Sequence, residues 1–204
     1  MSTTSYAVPE QSWQIELEIK RSKFLSFAAN VNNRQDAEAF IRLLREQHPQ
    51  ASHVCWAYIA GPPNTTVRSM SDDGEPSGTA GMPMLKVLQH SGLGDVVVAV
   101  VRYFGGTKLG TGGLQRAYSE AVSAVLKELP TRLKVSRSTL SLVFDYEYDG
   151  SLGRLINRYD VADMQANYDQ QVTVTLAIAD SEFQAFYDEV IDVCSGKVVI
   201  ETPD

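Results

Sequence analysis

The sequence predicts an α+β protein of two domains, a mixed β-α unit over residues 1–130 and a ferredoxin-like βαββαβ unit over residues 131–204. Three observations carry this expectation. The last third of the chain alternates strand and helix periodicities in the order β-α-β-β-α-β. An unbroken apolar run, Val96 to Val101, leads through a glycine-rich stretch into a long amphipathic helix. Charge also steps at Pro130: residues 1–130 hold twelve Lys+Arg and twelve Asp+Glu, whereas residues 131–204 hold six and thirteen. The whole net charge of −7 therefore belongs to the last third.

Taken in order, strands are expected at Trp13–Ile19, Lys23–Asn30 and His53–Ala60, where apolar residues alternate with polar ones or run together. A helix over Arg34–Gln47 sets Ala37, Phe40, Ile41 and Leu44 on one face. A short helix runs over Pro83–Gln89, with Pro83 in the tolerated first turn. The run Val96–Val101 lacks alternation, which suits a strand buried on both faces. A helix over Thr111–Leu129 would bury Leu114, Ala117, Tyr118, Ala121, Val125 and Leu129. The segment Leu129–Arg132, with its helix-ending proline, reads as a linker. Beyond it, Leu140, Leu142, Phe144 and Tyr146 alternate as a strand, and Leu152, Leu155, Ile156 and Tyr159 follow helical spacing. Strands at Val161–Tyr168 and Val172–Ile178 come next. A helix capped by Asp180 or Ser181 then ends at Gly196, before a last strand at Val198–Ile200.

Composition narrows the function classes. With 204 residues, 44% hydrophobic and 21% charged, the chain is neither disordered nor collagen-like. Its longest purely apolar run is six residues, against the ~18 that a membrane-crossing helix needs. Residues 1–11 show neither the basic start nor the apolar stretch of a secretory leader. Two cysteines, Cys55 and Cys194, are too few for a disulfide framework. These features lead to the expectation of a cytoplasmic protein with no membrane partner.

Two segments are not explained by core packing. One is Ser71, Asp72, Asp73, Gly74, Glu75, Pro76, Ser77, Gly78, Thr79, Ala80 and Gly81, ahead of Pro83. The other runs from Arg102 through Gly105, Gly106, Lys108, Gly110, Thr111, Gly112 and Gly113 to Arg116. Glycine lets another group approach the backbone, and a glycine loop opening a helix aims free N–H groups at a bound anion. With Lys108, Arg102 and Arg116 nearby, a phosphate contact is one reading, and a compact strand-to-helix turn is the other. Neither nucleotide fingerprint is met. Thr111 and Gly112 stand where a phosphate-binding loop requires Lys and Ser/Thr, and Gln115 breaks the dinucleotide glycine pattern.

The carboxylates Asp72, Asp73 and Glu75 suit either a hard cation such as Mg²⁺ or a turn held by side-chain hydrogen bonds. His53 and Cys55 share a strand face, but no second ligand pair completes a zinc site. His48, His53 and His90 are the only bases available to a Ser or Cys nucleophile, and none adjoins a nucleophile motif. Lys20, Arg21 and Lys23 cluster with Phe24 between two strands, either as solvated hairpin charges or as a phosphate-contacting patch. Trp56 and Tyr58 share a strand face, where they would pack in the core or stack on bases.

Ser71-Asp-Asp-Gly-Glu-Pro-Ser-Gly-Thr-Ala-Gly81 with Pro83, followed by Val98-Ala-Val-Val-Arg-Tyr-Phe-Gly-Gly-Thr-Lys-Leu-Gly-Thr-Gly-Gly-Leu-Gln-Arg-Ala-Tyr118, resembles the paired signatures of the Impact family. Ser22-Lys-Phe24 and His53 also fit that pattern, and the chain as a whole is similar to the bacterial, YigZ-type branch. The likeness covers residues 10–130 most strongly. It implies an N-terminal domain like those of ribosomal proteins and elongation factors, and a C-terminal domain like those of elongation factor G. Eukaryotic members regulate translation by competing for the activator of a starvation-responsive initiation-factor kinase. Bacteria have no such pathway, so the resemblance carries over only an association with RNA, the ribosome or a translation-factor protein.

The reading from this sequence is thus a non-enzymatic, translation-related protein without cofactor, metal or assigned catalytic residue. Its RNA or ribosome contact would be made by Lys20, Arg21, Lys23, Arg102, Gly105, Gly106, Lys108, Gly110, Thr111, Gly112, Gly113 and Arg116. The alternatives are a Mg²⁺-dependent enzyme acting on a nucleotide or phosphorylated substrate, and an interaction module docking a basic partner through the acidic C-terminal domain.

Overall fold

A computed structural model describes residues 5–202; the first four residues of the segment read for a leader lie outside that range. Among the described residues the chain forms eleven strands and five α-helices in three sheets. Tyr6–Lys134 makes one compact unit, and the chain from Val135 onward, with Ser5, makes the other.

In the first unit, strands β2 (Trp13–Ile19), β3 (Ser22–Asn30), β4 (His53–Ile59), β5 (Arg68–Ser71) and β6 (Val96–Tyr103) form an antiparallel sheet in the order β2-β3-β6-β4-β5. The central β6 explains the unbroken valine run. Val96, Val98 and Val100 pack with helices α2 (Gly81–His90) and α3 (Thr111–Glu128), while Val97, Ala99 and Val101 lie in the clusters under α1 (Arg34–Gln47). Covering both faces of the sheet removes the need for polar alternation in its middle strand. Helix α1 starts where Asn33 accepts a hydrogen bond from the Asp36 N–H, and it buries Ala37, Ile41 and Leu44 at helical spacing.

Strands β1 (Ser5–Pro9) and β7 (Thr131–Val135) pair as a two-stranded ribbon. Neither β1 nor β5 carries an alternation long enough to announce a strand. The start of β7 falls in the segment Leu129–Arg132 that the helix-ending Pro130 marks as a linker. Pairing creates these strands: Glu10 N–H bonds the Pro130 carbonyl, and β5 lies on the edge of β4.

Asp95 fastens the ribbon to the sheet. It is 1% exposed and sits at φ +47°, just before β6. One carboxylate oxygen accepts from the Tyr6 hydroxyl (2.9 Å) and the Lys134 ammonium (2.5 Å), and the other accepts from the Gly61 N–H (2.7 Å). Burial alone would lower the Lys134 pKa, but the bond to Asp95 holds it above the ordinary value.

The second unit follows the βαββαβ order: β8 (Arg137–Phe144), α4 (Asp149–Ile156), β9 (Val161–Tyr168), β10 (Val172–Ala179), α5 (Phe183–Val193) and β11 (Val198–Glu201). Its sheet is antiparallel in the order β11-β8-β10-β9, the ferredoxin-like arrangement. Leu140, Leu142 and Phe144 from β8 join Val172, Val174 and Leu176 from β10 under Leu152, Leu155, Phe186 and Val190 of the two helices. Helix α5 begins one or two residues later than expected, with Glu182 as its N-cap. The Asp180 carboxylate accepts instead from the Ser138 hydroxyl on β8 (2.7 Å), so it does not cap the helix. Gly196, at φ +76°, closes the helix with an N–H bond to the Ile191 carbonyl.

Removing the Asp95 carboxylate strands the buried Tyr6 hydroxyl and Gly61 N–H. Asp95→Ala is therefore expected to lower unfolding free energy by about 2–4 kcal/mol. Asp95→Asn, which keeps one acceptor and tolerates positive φ, should lose less. Urea midpoints of the two variants check this order.

Candidate functional site

Two loops meet at one end of the first unit's sheet. One leaves β5 at Ser71 and enters α2. The other leaves β6 at Tyr103 and enters α3. The Gln115 side chain bonds the Gly78 carbonyl across them (3.3 Å), and a cavity of about 370 Å³ lies between them. Its walls include Glu75, Arg102, Phe104, Lys108, Gly110 and Thr111.

The acidic loop is built as a staple. Asp72 accepts from the N–H groups of Gly78 (2.8 Å), Ala80 (2.9 Å) and Gly81 (2.8 Å), capping α2 from nine residues upstream. Partial burial opposes ionisation of Asp72. The three N–H donors outweigh it, holding the carboxyl below the ordinary aspartate value. Asp73 accepts from the Val54 N–H and the Arg45 guanidinium, both at 2.6 Å. Ser71 Oγ accepts from the Asp73 N–H (3.1 Å), Gly74 turns the chain at φ +86°, and the Thr79 hydroxyl donates to the Pro76 carbonyl (2.6 Å). All three carboxylates are thus engaged by protein donors. No group of three His, Cys, Asp or Glu side chains among the described residues has the geometry of a metal site.

Glu75 is the third and deepest of these carboxylates, its side chain 3% exposed. One oxygen accepts from both the Arg102 guanidinium and the Tyr118 hydroxyl (2.8 Å), and the His53 ring lies 3.8 Å from the other. Arg102 is flanked by the rings of Phe24 (5.4 Å) and Phe104 (5.6 Å) and reaches Ser22 Oγ at 3.4 Å. Burial raises the Tyr118 phenol and pushes the Cys55 thiol up to about 12. Cys55 Sγ bonds the Asp72 carbonyl and the Tyr118 hydroxyl rather than any histidine. His48 pairs with the Tyr103 hydroxyl, His53 with the Asp73 carbonyl and His90 with the Lys86 carbonyl. No histidine ring therefore bonds a Ser or Cys side chain among the described residues.

The glycine loop has two distinct requirements. A Cβ at Gly105 would stand 1.9 Å from the Arg21 carbonyl oxygen, so this position admits only hydrogen. Gly110 adopts φ +74° as the N-cap of α3. No side chain caps that helix and no acidic residue occupies its first turn, so the N–H groups of Thr111, Gly112 and Gly113 carry the positive end of its dipole. Gly106 also turns at positive φ.

Close contact between Gly105 and Arg21 brings the β2–β3 hairpin tip against the glycine loop. Lys20 (φ +49°) and Arg21 (φ +67°) form that two-residue tip, both in the left-handed region that such turns usually give to Asn or Gly. Each pays about 1 kcal/mol of backbone strain. The expected cations divide into two sets. Arg102 is buried against Glu75, and Lys23 pairs with Glu16 at 3.1 Å. Lys20, Arg21, Lys108 and Arg116 have no carboxylate partner among the described residues. Arg116 rests on the Gly112 carbonyl at 3.3 Å. Trp56 and Tyr58 stack on each other at 5.7 Å beneath α1, with Tyr58 4% exposed, so they belong to the core of the opposite face. Tyr118 and Asp95 gave no polar signal in the sequence; both sit in apolar or turn contexts whose partners are distant in the chain.

Because its folded pKa is depressed, Asp72 stabilises the protein above the unfolded aspartate value of about 3.9 and loses that contribution as pH falls through the folded value. Asp72→Asn should cost about 1–2 kcal/mol at neutral pH. The gap between wild-type and variant urea midpoints should narrow as the solution is acidified below about pH 4.

Among the described residues no helix is long and apolar enough to cross a membrane. The model of the Impact N-terminal domain matches residues 20–126. The chain is 39% identical to an IMPACT family member from Haemophilus influenzae over 96% of each sequence. It is 34% identical to the Escherichia coli IMPACT family member YigZ, covering 95% of this chain and 96% of that one. A crystal structure titled only as that of a hypothetical protein aligns over 99% of this chain and 98% of its own, with a TM-score of 0.72 at 33% identity. With both signature loops in one site and near full-length relatives on either side of it, the chain belongs to the Impact family.

Proposed function

We propose that this protein is a non-catalytic, translation-related factor that holds the phosphate backbone of RNA, free or in the ribosome, at the mouth formed by the glycine loop and the β2–β3 hairpin tip. The observation that carries the reading is the uncapped N-terminus of α3 opening beside Lys108, with the strained cationic pair Lys20–Arg21 held against the same loop. A helix N-terminus without a capping side chain favours an anion, and the hairpin turn that packs on Gly105 carries a cation at each of its two left-handed positions. Arg102 acts from below: its pairing with Glu75 fixes the loop while Lys108 and Arg116 face outward. Family membership supports a role in translation, and the neutral balance of residues 1–130 removes the bulk repulsion that −7 suggests. The Mg²⁺-dependent alternative is disfavoured by the engagement of Asp72, Asp73 and Glu75 with protein donors.

Fluorescence anisotropy with single-stranded RNA across a KCl series tests this. The logarithm of the binding constant should fall linearly with the logarithm of salt concentration. Lys108→Gln and Lys20→Gln should each flatten the slope by roughly 0.7, the value for one lost phosphate contact on a single strand. Arg34→Gln, on α1, should leave it unchanged. Binding without salt dependence, or equal slopes in all three variants, would show that the mouth is not the contact.

A further inference from the structure

We infer that β9 is a self-complementary edge through which two copies of this chain associate, joining their C-terminal sheets antiparallel across a two-fold axis. In the order β11-β8-β10-β9, one side of β9 pairs with β10 and the other side has no strand partner among the described residues. A free edge offers a row of unpaired N–H and C=O groups, and monomeric proteins guard such edges with charge, proline or brevity. Among the described residues, the other edge strands of the four- and five-stranded sheets are so guarded. β2 exposes Glu16 and Glu18, β5 has four residues and starts at Arg68, and β11 has four residues, following Lys197 and ending at Glu201. β9 is the exception: eight residues long, its stretch Met164–Tyr168 carries no charge, proline or glycine, and all five residues are exposed.

The chemistry of that stretch identifies the occupant. Antiparallel pairing of the segment with itself about Ala166 sets Met164 opposite Tyr168 of the second copy and Gln165 opposite its Asn167. Alternation along the strand puts the thioether–aromatic pairs on one face and the amide pairs on the other. Both kinds of cross-strand pair are favourable, and a two-fold axis makes each occur twice. Met164 is 54% exposed, Tyr168 57% and Tyr146 52%, with the two tyrosine rings 6.3 Å apart, so an apolar patch lies beside the free edge. Asp163, at φ +52° in a break of register with β10, and Asp169 at the following turn bound the segment. The same axis brings Asp163 of one copy towards Asp169 of the other. These like charges confine the pairing to the five neutral residues and make it stronger as salt is added.

Sedimentation velocity of the full chain over a concentration series in moderate salt tests the inference. The weight-average mass should climb from 22.5 kDa towards twice that value, and should climb further with added salt. The double variant Gln165→Lys/Asn167→Lys sets like charges across both amide positions and should remain monomeric. Gln165→Glu/Asn167→Lys sets opposite charges across the same positions and should associate at least as strongly as wild type. Gln165 and Asn167 are both exposed in the monomer, so both variants should melt with the wild-type protein. A wild type that stays monomeric at every concentration would overturn the proposal. So would a double-lysine variant that associates like wild type, or a Glu/Lys variant that does not associate.

Discussion

Burying the Glu75 carboxylate is the constraint on which the N-terminal unit's working end depends. A carboxylate that is 3% exposed is tolerated only with its charge and lone pairs answered, and Arg102 and Tyr118 answer them from β6 and α3. The acidic loop, the central strand and the long helix are thereby tied at one point. Arg102 extends the tie to Ser22 on β3, and Ser22 Oγ also accepts from the Gly105 N–H (3.2 Å). Partial satisfaction of such a network would cost more than an apolar core. The two signature loops therefore behave as one structure: shifting either leaves a buried charge without its partner.

From this follows the division of labour among the cations. Arg102, Lys134 and Arg45 answer Glu75, Asp95 and Asp73, and are spent on holding strands and loops in register. Lys20 and Arg21 do the opposite, occupying left-handed backbone where a glycine would relieve the turn. Their turn, closed by the pairing of Ile19 with Ser22, lies against Gly105, where the Arg21 carbonyl leaves no room for a Cβ. Rigid placement matters for phosphate recognition, since ordering two long side chains on a mobile tip would cost conformational entropy at the moment of binding.

What the sequence revealed, and what it concealed, follows from how local each signal is. The valine run announced the doubly covered β6, and helical spacing gave α1 its observed limits, because burial periodicity is written in consecutive residues. The βαββαβ order was legible for the same reason. β1, β5 and β7 were not, since their four or five residues become strands only by pairing, β5 with the preceding β4 and β1 and β7 with each other across most of the first unit. The site divides similarly. Glycines and cations could be found as a motif, and the Asp72–Glu75 carboxylates could be read as either metal ligands or turn formers. Three backbone donors at Gly78, Ala80 and Gly81 favour the turn, and these converge only once α2 begins. The inward use of Arg102 and the pairing of Lys23 with Glu16 depend on strand register, which charge counting cannot supply.

Register also changes what the net charge means. A value of −7 spread evenly would repel a polyanion and a second copy alike. Its confinement to residues 131–204 leaves residues 1–130 with equal numbers of cations and carboxylates. At physiological ionic strength, fields from exposed charges decay over about 8 Å. On the proposed reading, a phosphate at the mouth of α3 would respond to Lys108 and the helix N-terminus more than to the whole-chain sum. Within the acidic unit the same locality holds, because Met164–Tyr168 forms a neutral interval between Asp163 and Asp169. Backbone pairing and short-range packing can act there despite the surrounding charge. In both units the behaviour of the surface is set by charge placement over a few residues, to which a whole-chain sum is blind.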